Sequence, residues 1–271
     1  MQKGSIRVQT ENIFPIIKKF LYTDQEIFLR ELVSNAVDAT KKLSTLSRVG
    51  EFEDPIDNCK VDISFDEKAK TLTISDSGIG MTEEEVEKYI TQLAFSGARE
   101  FAEQWKDKDP DQMIGHFGLG FYSAFMVSKS VTIETKSYQK GAQAVHWDCD
   151  GATSYNIGKG KRKKRGTDVI LHLTDEDAET YLSKWKLREL LRKYCRFLPV
   201  PITFDGEDIN NTQPIWTKKP AELESEDYKK FFEELYPAQE APLFSIHINT
   251  DYPFNLTGVL YFPKVNEAID N

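Results

Sequence analysis

Residues 23–50, TDQEIFLRELVSNAVDATKKLSTLSRVG, constrain this chain most, because their spacing requires one long helix with a polar row beside a row of small and apolar residues. Thr23 and Glu26 have capping-box spacing, Tyr22 and Ile27 flank them as a hydrophobic staple, and Gly50 supplies a C-terminal stop. Glu31, Asn35, Asp38 and Lys42 fall at i, i+4, i+7 and i+11, which stacks a carboxylate, an amide, a second carboxylate and an ammonium on one face. The next row is Leu32, Ala36, Ala39 and Leu43, narrow enough to pack closely on a core, so the polar row borders that core. Alone, the polar row fits equally well a solvated face carrying two ion pairs of roughly 0.2 to 0.5 kcal/mol each. Its meaning has to come from what the rest of the chain sets beside it.

Upstream, residues 5–10 alternate like a short strand and residues 13–21 have helical periodicity. Downstream, Val61, Ile63 and Phe65 recur at period two, DEKAK makes a turn, and Leu72 and Ile74 recur at period two again, a β-hairpin. Continuing that alternation puts Asp76 on the buried face, where SDSGIGM breaks the strand. A carboxylate there needs a donor, from the protein or from a ligand, because burying an unpaired charge costs several kcal/mol. Gly78 and Gly80 let something other than a side chain come close; the plainer alternative is an Asx turn and a loop.

Residues 82–90 read as a helix with a second capping box, Thr82 with Glu85. The pattern then weakens from residue 91 to 114, a candidate mobile segment. It ends at GHFGLGF, residues 115–121, a G-x-x-G-x-G spacing opening an apolar helix and suited to setting backbone N–H groups against an anion such as phosphate. The spacing is neither the Rossmann fingerprint nor a P-loop. Strands are expected at 131–135 and 144–147, then a basic turn, KGKRKKRG, read as a solvated hairpin loop, then TDVILHL, in which Thr167 shares a face with Val169, Leu171 and Leu173. A hydroxyl on an apolar face implies a buried polar contact. Residues 175–198 read as one helix, with Trp185, Leu187, Leu190, Leu191, Tyr194 and Phe197 as its apolar positions and Pro199 as its stop. Proline and asparagine then cluster up to residue 223, which sets a domain boundary near 210, and one helix and two strands follow before the chain stops in VNEAIDN without closing a second core. A longer parent protein is expected.

Composition closes off several classes. A net charge of −9 over 271 residues argues against a protein that coats nucleic acid, and no apolar run approaches the ~20 residues of a membrane span. Cys59, Cys149 and Cys195 are odd in number and scattered, the pattern of reduced thiols in a cytoplasmic protein without a zinc framework.

Four motifs now stand in a fixed order: ELVSNAVDA, SDSGIGM, GHFGLGFYSAF and GTDVILHL. In this order the sequence resembles the GHKL ATPase superfamily and, within it, the ninety-kilodalton heat-shock chaperones of the bacterial HtpG type. The likeness covers residues 1–210 as an N-terminal ATP-binding domain and continues through QPIWTKKPAELESEDYKKFFEELY as the start of a middle domain, 211–271. It implies an α+β fold, a two-layer α/β sandwich with a mixed, mainly antiparallel sheet covered by helices and the nucleotide between the layers. It also implies an ATP-dependent chaperone that binds ATP or ADP with Mg²⁺, hydrolyses slowly in this fragment, handles unfolded client proteins, and works as a homodimer at full length, with this fragment a monomer. No nucleic-acid or membrane partner is implied.

The resemblance assigns roles residue by residue. Glu31 would be the general base for the attacking water, and Asn35 would offer its carbonyl oxygen to Mg²⁺. Asp76 would accept from the adenine amino group, with Thr167 on the same edge and Gly80 and Met81 along the base. Asp38 and Lys42 would lie along sugar and phosphates, and Gly118, Gly120 and Phe121 would cradle phosphates. Two departures stand out. LAFSGA, residues 93–98, is shorter than the lid run usual in the family and sets Phe95 about where a phosphate-contacting lysine is usual, and the family's catalytic arginine belongs to a later part of the middle domain. Two relatives of the fold fit less well: a histidine kinase needs an upstream phospho-accepting histidine, whereas the first histidine here is His116, and a topoisomerase-type ATPase lacks GHFGLGFYSAF.

Overall fold

The fold is described from a computed structural model covering residues 24–56, 59–92, 100–101, 114, 118–152, 154–250 and 256–264. The expected strand at 5–10, helix at 13–21 and most of the mobile segment at 91–114 lie outside these residues. By its internal contacts the chain divides into two compact units, 1–210 and 211–271.

In the first unit, helix α1 (Ile27–Arg48) is laid down as its periodicity demands, burying Phe28, Leu29, Leu32, Val33, Ala36 and Val37. Each such aliphatic or aromatic side chain contributes on the order of 1.5 to 3 kcal/mol by leaving water. The helix ends in a Schellman turn: Gly50 sits at φ +78°, its N–H donates to the Ser47 carbonyl, and the Glu51 N–H donates to the Leu46 carbonyl at 2.8 Å. The expected Thr23–Glu26 capping box rests on Thr23, which lies outside the described residues; the Glu26 carboxylate accepts from Lys186 and Lys193, at 2.7 and 2.8 Å.

The hairpin β1 (Val61–Asp66) and β2 (Thr71–Asp76) forms in the expected register, with Leu72, Ile74 and Asp76 on the buried face. Helix α2 (Glu83–Tyr89) starts at the Thr82–Glu85 capping box read from the sequence. A 3-10 helix at Gly120–Met126 stands where an apolar α-helix was expected, and it leads into β3 (Ser128–Lys136), β4 (Ala144–Cys149), β5 (Asn156–Lys159) and β6 (Gly166–Leu173). The single helix expected at 175–198 is two, α3 (Asp175–Tyr181) and α4 (Lys184–Cys195), because Ser183 turns extended and caps the second by accepting from the Lys186 N–H. This break takes Trp185 off the apolar row of Leu187, Leu190 and Leu191, and it is 74% exposed. Beyond it β7 (Ile202–Phe204) and β8 (Glu207–Asp208) complete the unit, within the proline- and asparagine-bearing stretch that leads to the expected boundary near 210.

These strands form one sheet in the order β5-β4-β3-β6-β2-β1-β7-β8, antiparallel throughout except for the parallel pair β1 and β7. With α1 and α4 packed together on one face, the unit is a two-layer α/β sandwich around a single main core. A smaller cluster of Leu43, Leu46 and Phe52 covers the C-terminal end of α1, against Ile79 and Tyr138.

In the second unit, α5 (Ser225–Leu235) packs on the ribbon of β9 (Phe244–Thr250) and β10 (Leu256–Phe262): Tyr228 and His247 are hydrogen-bonded at 2.9 Å, and the Phe232 and Tyr261 rings meet at 5.0 Å. On the ribbon's other face Phe244, Ile246, Leu256, Leu260 and Phe262 are exposed. Among the described residues no helix is long and apolar enough to cross a membrane.

Glycine is required where the backbone of one element is pressed on another. A Cβ on Gly80, at φ +60°, would overlap the Lys136 carbonyl, whereas at Gly141, at φ +85°, nothing lies within 4 Å. Left-handed backbone alone costs an alanine roughly 1 to 2 kcal/mol. Gly141→Ala is therefore expected to cost about that much in urea unfolding, and Gly80→Ala at least about 3 kcal/mol, because the overlap adds to the strain.

Candidate functional site

The loop after β2 joins the two layers, and it does so through backbone contacts. The Ile79 N–H donates to the Ala39 carbonyl of α1, and the Ile79 carbonyl accepts from the Tyr138 N–H at 2.7 Å, just beyond β3. Gly78 lies against the Ala39–Thr40 peptide and Gly80 against Lys136, so the close approach inferred from both glycines is an approach of protein backbone. Asp76 is held at the mouth of this loop, 5% exposed, with one carboxylate oxygen accepting the Gly78 N–H at 2.8 Å. Burial drives its pKa up to about 7, against the opposing pull of the Gly78 N–H, the Arg162 guanidinium and the Thr167 N–H. A carboxylate left so poorly compensated is the demand for a donor that the strand alternation raised.

Two residues missed in the sequence reading brace this end of the sheet. Arg162 belongs to the turn read as solvated, yet its side chain is largely buried: it donates to the Asp76 carbonyl and to the Asp168 carboxylate. Its neighbour Arg165 lies over the Phe52 ring and reaches the Cys59 sulfur. Lys159, Lys161, Lys163 and Lys164 are the solvated members of the run. Thr135 is the second. Fully buried on β3, its Oγ1 accepts the Met81 N–H at 3.0 Å, lies 2.9 Å from the Thr167 Oγ1, and is 3.2 Å from the Gly166 carbonyl. Its position at period two after Val131 and Ile133 was a readable signal of the kind that singled out Asp76 and Thr167.

The polar row of α1 lies across from these groups. Asp38 is buried, and both its oxygens accept the Ile114 N–H, at 2.9 and 3.0 Å. Lys42 sits 5.5 Å from the Phe101 ring centroid; loss of solvent lowers its pKa, and Asp38, Glu85 and Glu100 oppose that shift. At the N-terminal end, Glu31 and Asn35 face the backbone of Gly120: a Cβ there would stand 2.8 Å from the Glu31 Oε2 and 3.6 Å from the Asn35 Nδ2. The other Glu31 oxygen accepts from the Arg30 guanidinium at 2.7 Å, and the carboxyl side chain is 21% exposed. Eleven residues of helix separate Glu31 from Lys42, roughly 16 Å of rise. The Phe121 ring is buried against Tyr122, Phe125 and Trp147, so only its backbone can face a ligand. Gly118 has φ +64°, while residues 115–117 of the glycine run lie outside the described residues.

The structure thus brings Asp76, Met81 and Thr167 together at a buried end, and Glu31, Asn35 and Gly120 together at a half-exposed end, with Asp38 and Lys42 between them along the helix. The buried end can read a flat ligand edge by hydrogen bonding; the other offers a carboxylate and an amide beside backbone, a setting for water and a hard cation.

A family model for histidine kinase-, DNA gyrase B- and HSP90-like ATPases matches residues 22–179, and a model for the Hsp90 protein matches residues 202–269. A chaperone protein HtpG of Bacteroides fragilis (strain YCH46) is 57% identical over 285 aligned positions, which take in 100% of this chain and 41% of that protein. The HtpG of Porphyromonas gingivalis (strain W83) is 56% identical over 99% of this chain and 41% of its own length, and a mitochondrial TNF receptor-associated protein 1 homolog of Dictyostelium discoideum is 36% identical over 97% and 37%. The chain spans about two fifths of the length of these curated relatives.

The folded state holds its proton on Asp76 up to about pH 7, whereas an unfolded aspartate releases it near pH 3.8. The stability linked to this proton is full below pH 3.8 and falls as pH rises toward 7, by at most roughly 4 kcal/mol. Urea unfolding of the ligand-free protein should therefore show Asp76→Asn more stable than the wild type at pH 8, with the gap closing toward pH 4.

Proposed function

Because the chain belongs to the histidine kinase-, DNA gyrase B- and Hsp90-like ATPase family, and the Hsp90 model continues the match beyond it, we propose that it is the ATP-binding portion of an HtpG-type chaperone. In this reading residues 1–210 bind and slowly hydrolyse ATP, and residues 211–271 begin the middle domain. What carries the reading is the arrangement of one buried carboxylate, Asp76, at the end of β2, and of Glu31 and Asn35 against the Gly120 backbone on one helix.

Asp76 accepts from the exocyclic amine of adenine, which offers the buried carboxylate the donor that burial demands. Thr167 meets the same edge, and Gly80 and Met81 line the base. Asp38 and Lys42 line the way to the phosphates; Asp38 acts in part by gripping the Ile114 amide, which holds that stretch of chain beside the helix. The backbone of Gly118, Gly120 and Phe121 faces the phosphates. Glu31 orients the attacking water and takes its proton. Asn35 is the residue that would hold Mg²⁺, through its side-chain carbonyl, and the ion would supply positive charge against the phosphates.

At full length the protein would be a cytoplasmic homodimer that spends ATP binding and hydrolysis on client proteins.

Calorimetry with ADP and ATP in the presence of Mg²⁺ tests this reading. Asp76→Asn should weaken binding at least about 100-fold, since a buried carboxylate partner of an amine is removed. Glu31→Ala should keep nucleotide affinity within about threefold and reduce steady-state ATP turnover by roughly 100-fold or more. Unchanged affinity in Asp76→Asn would remove adenine from this end of the site.

A further inference from the structure

The basic run that follows β5 is divided by the fold. Arg162 turns into the sheet and is paired with Asp168, whereas Lys163, Lys164 and Arg165 line a cleft of about 520 Å³ together with Lys136 at the end of β3. Three connections distant in sequence enclose it: the one from α1 to β1, at Phe52 and Asp54, the hairpin between β3 and β4, and the turn between β5 and β6. None of the residues assigned to the nucleotide lines it. It lies behind the Asp76 loop, since Tyr138 in its wall donates its N–H to the Ile79 carbonyl at 2.7 Å.

Four cations thus meet in one cleft whose wall carries a single carboxylate, Asp54. The Lys136 ammonium donates to the Lys163 carbonyl at 3.1 Å. The Arg165 guanidinium lies 5.3 Å from the Phe52 ring centroid, and one of its nitrogens is 3.5 Å from the Cys59 sulfur. These contacts hold both side chains without cancelling their charge, and among the described residues no carboxylate is ion-paired with any of the four. Like charges drawn together repel, and an anion between them removes that cost. An exposed lysine grips a single charge weakly, so the ligand that gains most presents several anionic groups at short spacing. The cleft has the size of a small-molecule site, and a net charge of −9 opposes a long polyanion laid over the rest of the surface.

We infer that this cleft is a second anion site, separate from the nucleotide site, and that its ligand is a short oligophosphate. The half-buried Lys136 and Arg165 are held by the protein and supply fixed charge, and the exposed Lys163 and Lys164 close on the outer phosphates. A free oligophosphate and the phosphate tail of a nucleotide share this chemistry. The inference goes beyond the function proposed above and does not rest on it.

The test titrates inorganic tripolyphosphate into the 271-residue chain by calorimetry, without Mg²⁺ and in about 0.15 M salt, where distant charges are screened. The wild type should bind one equivalent with a dissociation constant on the order of 0.1 mM or tighter. Lys163→Glu combined with Lys164→Glu should weaken binding at least about 30-fold. Lys159→Glu combined with Lys161→Glu makes the same charge change in the same run but outside the cleft, and should weaken it less than about fivefold. All four lysines are exposed, so both variants should fold. No binding by the wild type overturns the proposal, and so does an equal loss in the two variants, which would mark diffuse attraction to the run. Binding that survives the change at Lys163 and Lys164 belongs elsewhere and overturns it as well. Asp76→Asn should leave tripolyphosphate affinity unchanged, so the nucleotide site and this one fail separately. A second, weaker ADP binding event that is lost in the Lys163 and Lys164 variant would assign the cleft to the phosphate tail of a nucleotide, and tripolyphosphate binding without such an event would assign it to free oligophosphate.

Discussion

The rest of the first unit depends on keeping one carboxylate out of water without giving it a cation of its own. Asp76 stands in line with Leu72 and Ile74, so the same alternation that builds the core drives it inside. An opposing guanidinium on its oxygens would settle the charge, but Arg162 instead donates to its backbone carbonyl and binds Asp168 on the other face of the sheet. The side chain keeps the Gly78 N–H and, around it, hydroxyls and amides. A fully paired Asp76 would be stable and inert. The arrangement trades stability for a group that takes a donor from outside, and the glycines on either side permit it, because backbone packs where side chains would fill the space.

Helix α1 carries the complementary half, and its polar row is graded along its length. At the N-terminal end Glu31 is partly exposed and beside Gly120, where solvent reaches it; four residues past Asn35, Ala39 is clamped to the β2 loop and Asp38 is buried. Chemistry needs a water and a proton path, whereas base recognition needs a low-dielectric surround in which each hydrogen bond counts for more. The inner face of the helix is mainly apolar, and the flanking polar row changes environment along its length.

How much of this could be read in the residues follows from the range of the interactions. The hairpin, the buried Asp76, the Thr82–Glu85 box and the Gly50 stop rest on contacts within a few residues, and period two or 3.6 reveals them. The pairing of Glu26 with Lys186 and Lys193 joins residues some 160 apart in sequence, and no local pattern carries it. Arg162 was hidden for a similar reason: in KGKRKKRG every residue looks solvated, and only the fold decides that this one lies over Asp168. The reason for Gly80 was also out of reach, since its neighbour is the Lys136 carbonyl of a strand more than fifty residues on. Thr135 is different. Its alternation with Val131 and Ile133 is as plain as that of Thr167 with Leu171, and it was overlooked because threonine is common in strands and draws attention only when its face is known to be buried.

Thr135 shows how a buried polar contact can depend on strand register. Its hydroxyl closes the cross-strand row only if β3 and β6 are in register and the Gly80 turn brings Met81 over the strand end. A one-residue slip of either strand would move Thr135 or Thr167 to the other face and leave the Met81 N–H buried without its acceptor. The contacts of this polar row are therefore ones that penalise misregister. The glycine strip at residue 120 and the carboxylate of Glu31 are not bound by this coupling, because they meet through backbone and one helix face. The polar row of Asp76, Thr167 and Thr135 is built into the register of the sheet, whereas the Glu31 end depends on the segment that packs on it.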